Sequence, residues 1–187
     1  MRVLIVNNHS KFLPQLLAYI PNTLVVPFRH LDRVSSVDYD AIILSGGSSL
    51  SVKNHEKEYA QELKLIKTTK KPLLGICLGF ELINAAYSEP LQRMRKKERG
   101  LLDIRISTKD SLLRSLPSPL RVYESHRWVV PKTSFLHSLA SSVDGVEIVK
   151  HPTKLLYGVQ FHPEIFVKKE HIETIFRNFF SLSSKKN

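Results

Sequence analysis

The chain has 187 residues and 42% hydrophobic content, which suffices for one packed core and leaves no room for two ordinary domains, so a single domain over 1–187 is expected. Its formal net charge is +11, with cations gathered in Arg93-Met94-Arg95-Lys96-Lys97-Glu98-Arg99 and in Lys185-Lys186, and these runs lack the interleaved aromatics of a single-strand nucleic-acid platform. A solvated basic face is therefore expected, and nucleic acid is not an expected partner. No apolar run reaches about eighteen residues, and the chain enters Arg2-Val3-Leu4-Ile5-Val6 without a signal-peptide pattern, which argues for a soluble cytoplasmic protein with no membrane role.

In chain order, a strand at 3–6 precedes Phe12, Leu13, Leu16, Leu17 and Ile20 at helical spacing. Pro14 falls near that helix's start, where a missing N–H costs little. Strands follow at 24–26 and 41–44, the latter running into Ser45-Gly46-Gly47-Ser48-Ser49. A polar helix is expected over 56–69, then a short buried strand at 72–76 and a helix over 78–86. The second half reads as strands at 101–106, 120–123, 146–149 and 157–161 before a closing helix over 169–182. Strands alternating with helices predict a layered α/β domain whose mostly parallel central sheet is flanked by helices.

The single cysteine, Cys77, excludes an internal disulfide and a multi-cysteine zinc site. It stands in Gly75-Ile76-Cys77-Leu78-Gly79, the G-x-nucleophile-x-G form of a nucleophile elbow at a strand-to-helix corner. A sulfur there meets unpaired helix N–H groups, which favour thiolate. A buried structural cysteine is the alternative on that pentapeptide alone. Gly158-Val159-Gln160-Phe161-His162-Pro163-Glu164 ends a strand in a histidine with a carboxylate two positions on, so Glu164 can bond one imidazole nitrogen while the other faces Cys77. The eight histidines lack a paired ligand spacing, and no Gly-Lys-Ser/Thr loop occurs, so neither metal nor cofactor is expected.

These two segments, with Tyr39-Asp40-Ala41-Ile42-Ile43-Leu44-Ser45-Gly46-Gly47 and Arg121-Val122-Tyr123-Glu124-Ser125-His126, resemble the triad-type, class I glutamine amidotransferase family over essentially the whole chain. The resemblance implies a flavodoxin-like fold and a Cys77, His162, Glu164 triad that hydrolyses the side-chain amide of glutamine. It also implies an oxyanion hole from the N–H groups of Gly47 and Leu78, and substrate contacts from Glu81, Ser125, His126 and Arg127. The expected partner is a separate synthetase that takes the ammonia; the length and the 123–126 segment most resemble small subunits of two-chain GMP synthases, with those of anthranilate and aminodeoxychorismate synthases, or a paralogue with another acceptor, as close alternatives. A free-standing γ-glutamyl amide or peptide hydrolase is the alternative, and a non-catalytic binding module a third. Two departures stand out: Glu81 replaces the family's usual glutamine, and Tyr87-Ser88-Glu89-Pro90 replaces a glycine pair.

Overall fold

The computed structural model describes residues 1–165 and 169–184, apart from the side chains of 169, 170 and 172. Parallel strands β1 (Val3–Asn7), β2 (Thr23–Pro27), β3 (Ala41–Leu44), β4 (Leu73–Ile76) and β9 (Leu156–Val159) form one half of the sheet. Antiparallel β5 (Gln92–Ile106), β6 (Leu120–Val129), β7 (His137–Ser141) and β8 (Val146–Lys150) extend it, in the order β2-β1-β3-β4-β9-β8-β7-β5-β6.

Strand alternation explains the continuous apolar runs of the parallel half. Val3, Ile5, Ala41, Ile43, Leu74 and Ile76 bury on one face with Leu16 and Ile20 of the segment containing α1 (Leu13–Tyr19) and Ile175, Phe176 and Phe179 of α4 (Lys169–Ser184). Leu4, Val6, Ile42, Leu44 and Leu73 bury on the other with Ile66 of α2 (Ala60–Thr68) and Phe80, Leu82 and Ile83 of α3 (Leu78–Ala86). A strand covered on both faces has no polar side to present, so alternation gives way to unbroken hydrophobicity. Pro14 sits in the first turn of α1, where its ring displaces no helical hydrogen bond.

Besides β6, which runs on to Val129 past the expected 120–123, three elements differ from the sequence expectation. α2 begins at Ala60 because the segment before it is taken up by consecutive turns, His55 N–H donating to Val52 O and Glu58 N–H to His55 O. β7, whose His-Ser-Leu-Ala-Ser composition carries no strand signal, forms because β8 pairs with it and buries Leu139 and Ala140. The basic run is exposed as expected but is not a loose stretch: Arg93, Glu98 and Arg99 pair with β6 in the first half of β5, and 94–97 lie between those pairs. β5 meets β7 only through Arg105 and Ile106, so most of its length is a ribbon with β6. Lys185 and Lys186 lie outside the described residues.

The second departure has a structural account. The Glu89 carboxylate accepts the N–H groups of Ser134, Phe135 and Leu136 at 2.7, 2.7 and 2.8 Å and the Ser134 hydroxyl at 3.1 Å. These bonds hold its carboxyl below the ordinary range against the opposing effect of burial. Tyr87 stacks on Phe135 at 5.2 Å between ring centroids, so 87–90 clamps the turn at 134–136 onto the end of α3.

Candidate active site

The chain ends of β1, β3, β4 and β9 converge at the carboxyl edge of the parallel half, the usual ligand position in such sheets. Cys77 occupies the corner between β4 and α3 with φ +50° and ψ −100°, a conformation that costs a side-chain-bearing residue about 1–3 kcal/mol. Its N–H is fixed by Val159 O of β9 at 2.8 Å, and its carbonyl accepts the Glu81 N–H at 3.0 Å, starting the helix. Glycine is required on the helix side, since a Cβ on Gly79 would lie 2.5 Å from Leu44 O.

His162 follows β9, its N–H bonded to Tyr123 O of β6 at 2.9 Å. Its Nδ1 bonds Glu164 Oε1 at 2.9 Å, both side chains buried, which leaves Nε2 as the free ring nitrogen. The Phe12 ring packs edge-on against the imidazole at 4.7 Å. Gly46 lies between the Cys77 and His162 side chains: a Cβ there would stand 2.8 Å from His162 Cε1 and 3.5 Å from Cys77 Cβ. At Gly47 a Cβ would fall 2.2 Å from Asn8 O, so only glycine allows this loop to run against β1.

A cavity of about 320 Å³ opens above the elbow, walled by Gly47, Cys77, Leu78 and Glu81 on one side and Ser125, His126, Arg127 and Trp128 on the other. Every residue singled out for the oxyanion hole or substrate thus reaches this cavity, whereas His162 and Glu164 are not part of its lining. The members do not contribute alike. The His126 side chain is fully buried, with Nδ1 3.0 Å from Trp128 O and Nε2 3.3 Å from Glu124 Oε2, so its ring nitrogens face protein. Burial raises Glu124 to about 8 and lowers His126, making that pair neutral at pH 7.

The thiol does not follow the helix-terminus expectation. Burial, then the carboxyls of Glu81, Glu124 and Glu164, push Cys77 well above its ordinary value, against the single Leu78 N–H that favours thiolate. Glu81 and Glu124 are themselves raised to about 8, so at pH 7 burial is the dominant cause. A 3% exposed sulfur lacks the solvent that would share its charge. The resting group is therefore a thiol. Glu81 is 4% exposed and raised by desolvation, so in the resting site it is largely the neutral acid, close in shape and hydrogen-bonding capacity to glutamine.

Sequence reasoning missed several participants. Phe12 reads as part of an amphipathic helix, and nothing local signals that its ring supports His162. Arg93 and Lys97 read as a solvated face, yet both line the cavity. The cause is a bulge: Arg93 pairs with Trp128 and Glu98 with His126, so 94–97 stand opposite Arg127 alone. Such insertions re-aim side chains, and this one turns part of the basic run over the cleft. Among the described residues no group of three or more His, Cys, Asp and Glu could hold a metal, and no helix is long and apolar enough to cross a membrane.

Residues 5–182 match the family model for class-I glutamine amidotransferases. The chain belongs to that family. This amidotransferase is 34% identical to the glutamine-hydrolyzing GMP synthase subunit of Methanothermobacter thermautotrophicus over 187 residues, covering 96% of this chain and 97% of the relative. It is 38% identical to the Pyrococcus abyssi protein of the same description over 168 residues, 87% of this chain and 83% of that one. Its fold matches a solved structure from Thermoplasma acidophilum with a TM-score of 0.86 at 24% identity, over 99% and 94% of the two chains. A glutamine amidotransferase structure from Thermotoga maritima matches with 0.82 at 15% identity, over 100% and 99%.

Proposed function

We propose that this chain is one glutaminase domain acting through Cys77, His162 and Glu164, which hydrolyses glutamine and supplies ammonia to a separate synthetase within a two-chain GMP synthase. The observation that carries the reading is the 2.9 Å His162 Nδ1–Glu164 bond, which leaves Nε2 to act as base, together with Gly46, where a Cβ would meet both His162 Cε1 and Cys77 Cβ, beside a cavity that Cys77 lines. The Cys77 thiol gives its proton to Nε2 as sulfur attacks the amide carbon of glutamine. The carbonyl pair moves onto oxygen, held by the N–H groups of Gly47 and Leu78. As the C–N bond breaks, imidazolium returns the proton to the leaving nitrogen and ammonia departs. Water, deprotonated by the same nitrogen, then attacks the glutamyl thioester and releases glutamate and the thiol. Glu164 holds the imidazole tautomer and stabilises its protonated form.

Glu81, Ser125 and Arg127 are the proposed contacts for the substrate's α-groups, with His126 shaping the wall behind them. Compartment follows from the same reading: a glutaminase serving nucleotide synthesis works in the cytoplasm. The cluster of Arg93, Lys97 and Arg127 about the cavity favours a second reading, a γ-glutamyl amide or peptide hydrolase whose substrate carries an added anion.

The test is ammonia release from glutamine and amine release from γ-glutamyl compounds, measured alone and with candidate synthetases. Cys77→Ala abolishes release, His162→Ala is equally damaging, and Glu164→Gln is milder because packing partly replaces an orienting bond. Hydrolysis surviving in Cys77→Ala would refute the cysteine mechanism.

A further inference from the structure

Behind the loop at 45–47 lies a buried polar chain that the hydrolytic steps above do not use. Asn8, directly after β1, is 2% exposed, Ser45 is 1%, and Glu62 of α2 is wholly enclosed. The Asn8 N–H donates to Ser45 Oγ at 2.9 Å, and that hydroxyl donates to Gly46 O at 2.9 Å. The Asn8 side-chain amide donates to Ser45 O and to Glu62 Oε1, each at 3.1 Å. Both amide hydrogens are thereby committed, and the amide has one orientation that serves both acceptors. Tyr59 of the preceding turn and the amide of Asn8 are the polar groups acting with Glu62 electrostatically, and no salt bridge to Glu62 occurs among the described residues.

A carboxyl in this position is a poor stabilising device. Its second oxygen, Oε2, has no partner among the described residues, and burying an unpaired polar atom costs about 1–3 kcal/mol. An apolar side chain of similar volume would serve packing better. What the carboxyl does supply is an acceptor that fixes Asn8, whose main chain is the floor of the loop, since a Cβ on Gly47 would come within 2.2 Å of Asn8 O.

We propose that Glu62 is a positioning residue for the amidohydrolase reaction, acting through Asn8 and Ser45 to hold the Gly46–Gly47 backbone against Cys77 and His162. The inference rests on the reading that the Gly47 N–H receives the oxyanion. Burial raises Glu62 to about 8, so at pH 7 a neutral carbonyl oxygen receives the Asn8 amide without placing an anion near the site. The leverage is large, because losing one oxyanion donor lowers kcat by about 10²–10³ and a displacement near 1 Å by about 10².

The experiment compares wild type, Glu62→Leu, Glu62→Gln and Asn8→Ala by glutamine kinetics at pH 7 and by alkylation of Cys77 with iodoacetamide. Alkylation displaces iodide and forms a thioether without any oxyanion, so it reads the elbow and thiol without calling on the Gly47 N–H. Glu62→Leu should lower kcat about 10- to 100-fold with KM within about twofold, and alkylate at the wild-type rate. Glu62→Gln, which keeps the acceptor oxygen, should restore kcat to near wild type. If Glu62→Leu fails to fold, Asn8→Ala must show the same split. Unchanged kcat in the folded variants, or hydrolysis and alkylation falling together, would overturn the proposal. Failure of the underlying cysteine reading shows separately, as hydrolysis by Cys77→Ala.

Discussion

Glu81→Gln tests how a carboxyl can occupy a position beside a substrate carboxylate. Glu81 is raised to about 8 by burial, so it is about one-tenth ionised at pH 7, half at pH 8 and nine-tenths at pH 9. If only the neutral acid admits glutamine, the ratio of variant to wild-type kcat/KM is about 1.1 at pH 7, about 2 at pH 8 and about 11 at pH 9. The sign follows from a raised carboxyl: it is protonated and permissive below its folded value, and loses activity above it. Tyr59, Arg93, Lys97, His126 and Arg127 share its surroundings and are common to both proteins, while Cys77, which ionised Glu81 pushes up, is freed of that charge in the variant and so moves the ratio in the same rising direction. The assay is coupled glutamate formation from pH 6 to 9.5. A flat ratio would refute the reasoning, and a falling one would show that the ionised carboxylate binds the α-ammonium group instead.

Glu89→Gln should cost about 1–3 kcal/mol, because an amide with one acceptor oxygen cannot satisfy three converging N–H donors, of which that of Leu136 is buried, and should lower Tm by about 2–12 °C in a chain of this size. The depressed Glu89 carboxyl contributes stability that is complete above its unfolded value and lost as pH falls through the folded one. The difference in Tm between variant and wild type should therefore shrink in acid, below about pH 4. Arg93→Gln and Lys97→Gln should each raise the KM for glutamine about 1.5- to 5-fold with kcat unchanged, as exposed cations contribute about 0.2–1 kcal/mol. Raising ionic strength should reduce both effects, and salt-independent KM values would return the basic run to a solvated role.

The proposed triad was legible because its chemistry is written locally. Gly75-Ile76-Cys77-Leu78-Gly79 demands a tight corner, and a histidine and glutamate two apart can share one side of an extended chain, so both patterns survive without knowledge of the fold. The parallel strands were equally plain, since burial on both faces leaves an unbroken apolar run at 3–6, 41–44 and 73–76. Other features depend on distances between segments remote in sequence. Whether Cys77 rests as thiol or thiolate turns on how deeply β9, α3 and β6 enclose it, which a helix-terminus argument cannot supply. Glu81 reads as a misplaced charge until burial makes it an acid resembling glutamine. Glu89 reads as a lost turn glycine until Ser134, Phe135 and Leu136 arrive to be bonded. The basic run reads as exposed and is so, but only pairing with β6, which sets four residues opposite one, brings Arg93 and Lys97 into the lining of the cleft. Local patterns report what a segment can do alone, whereas dielectric, hydrogen-bond partners and bulge direction are properties of neighbours, and only the tertiary structure chooses the neighbours.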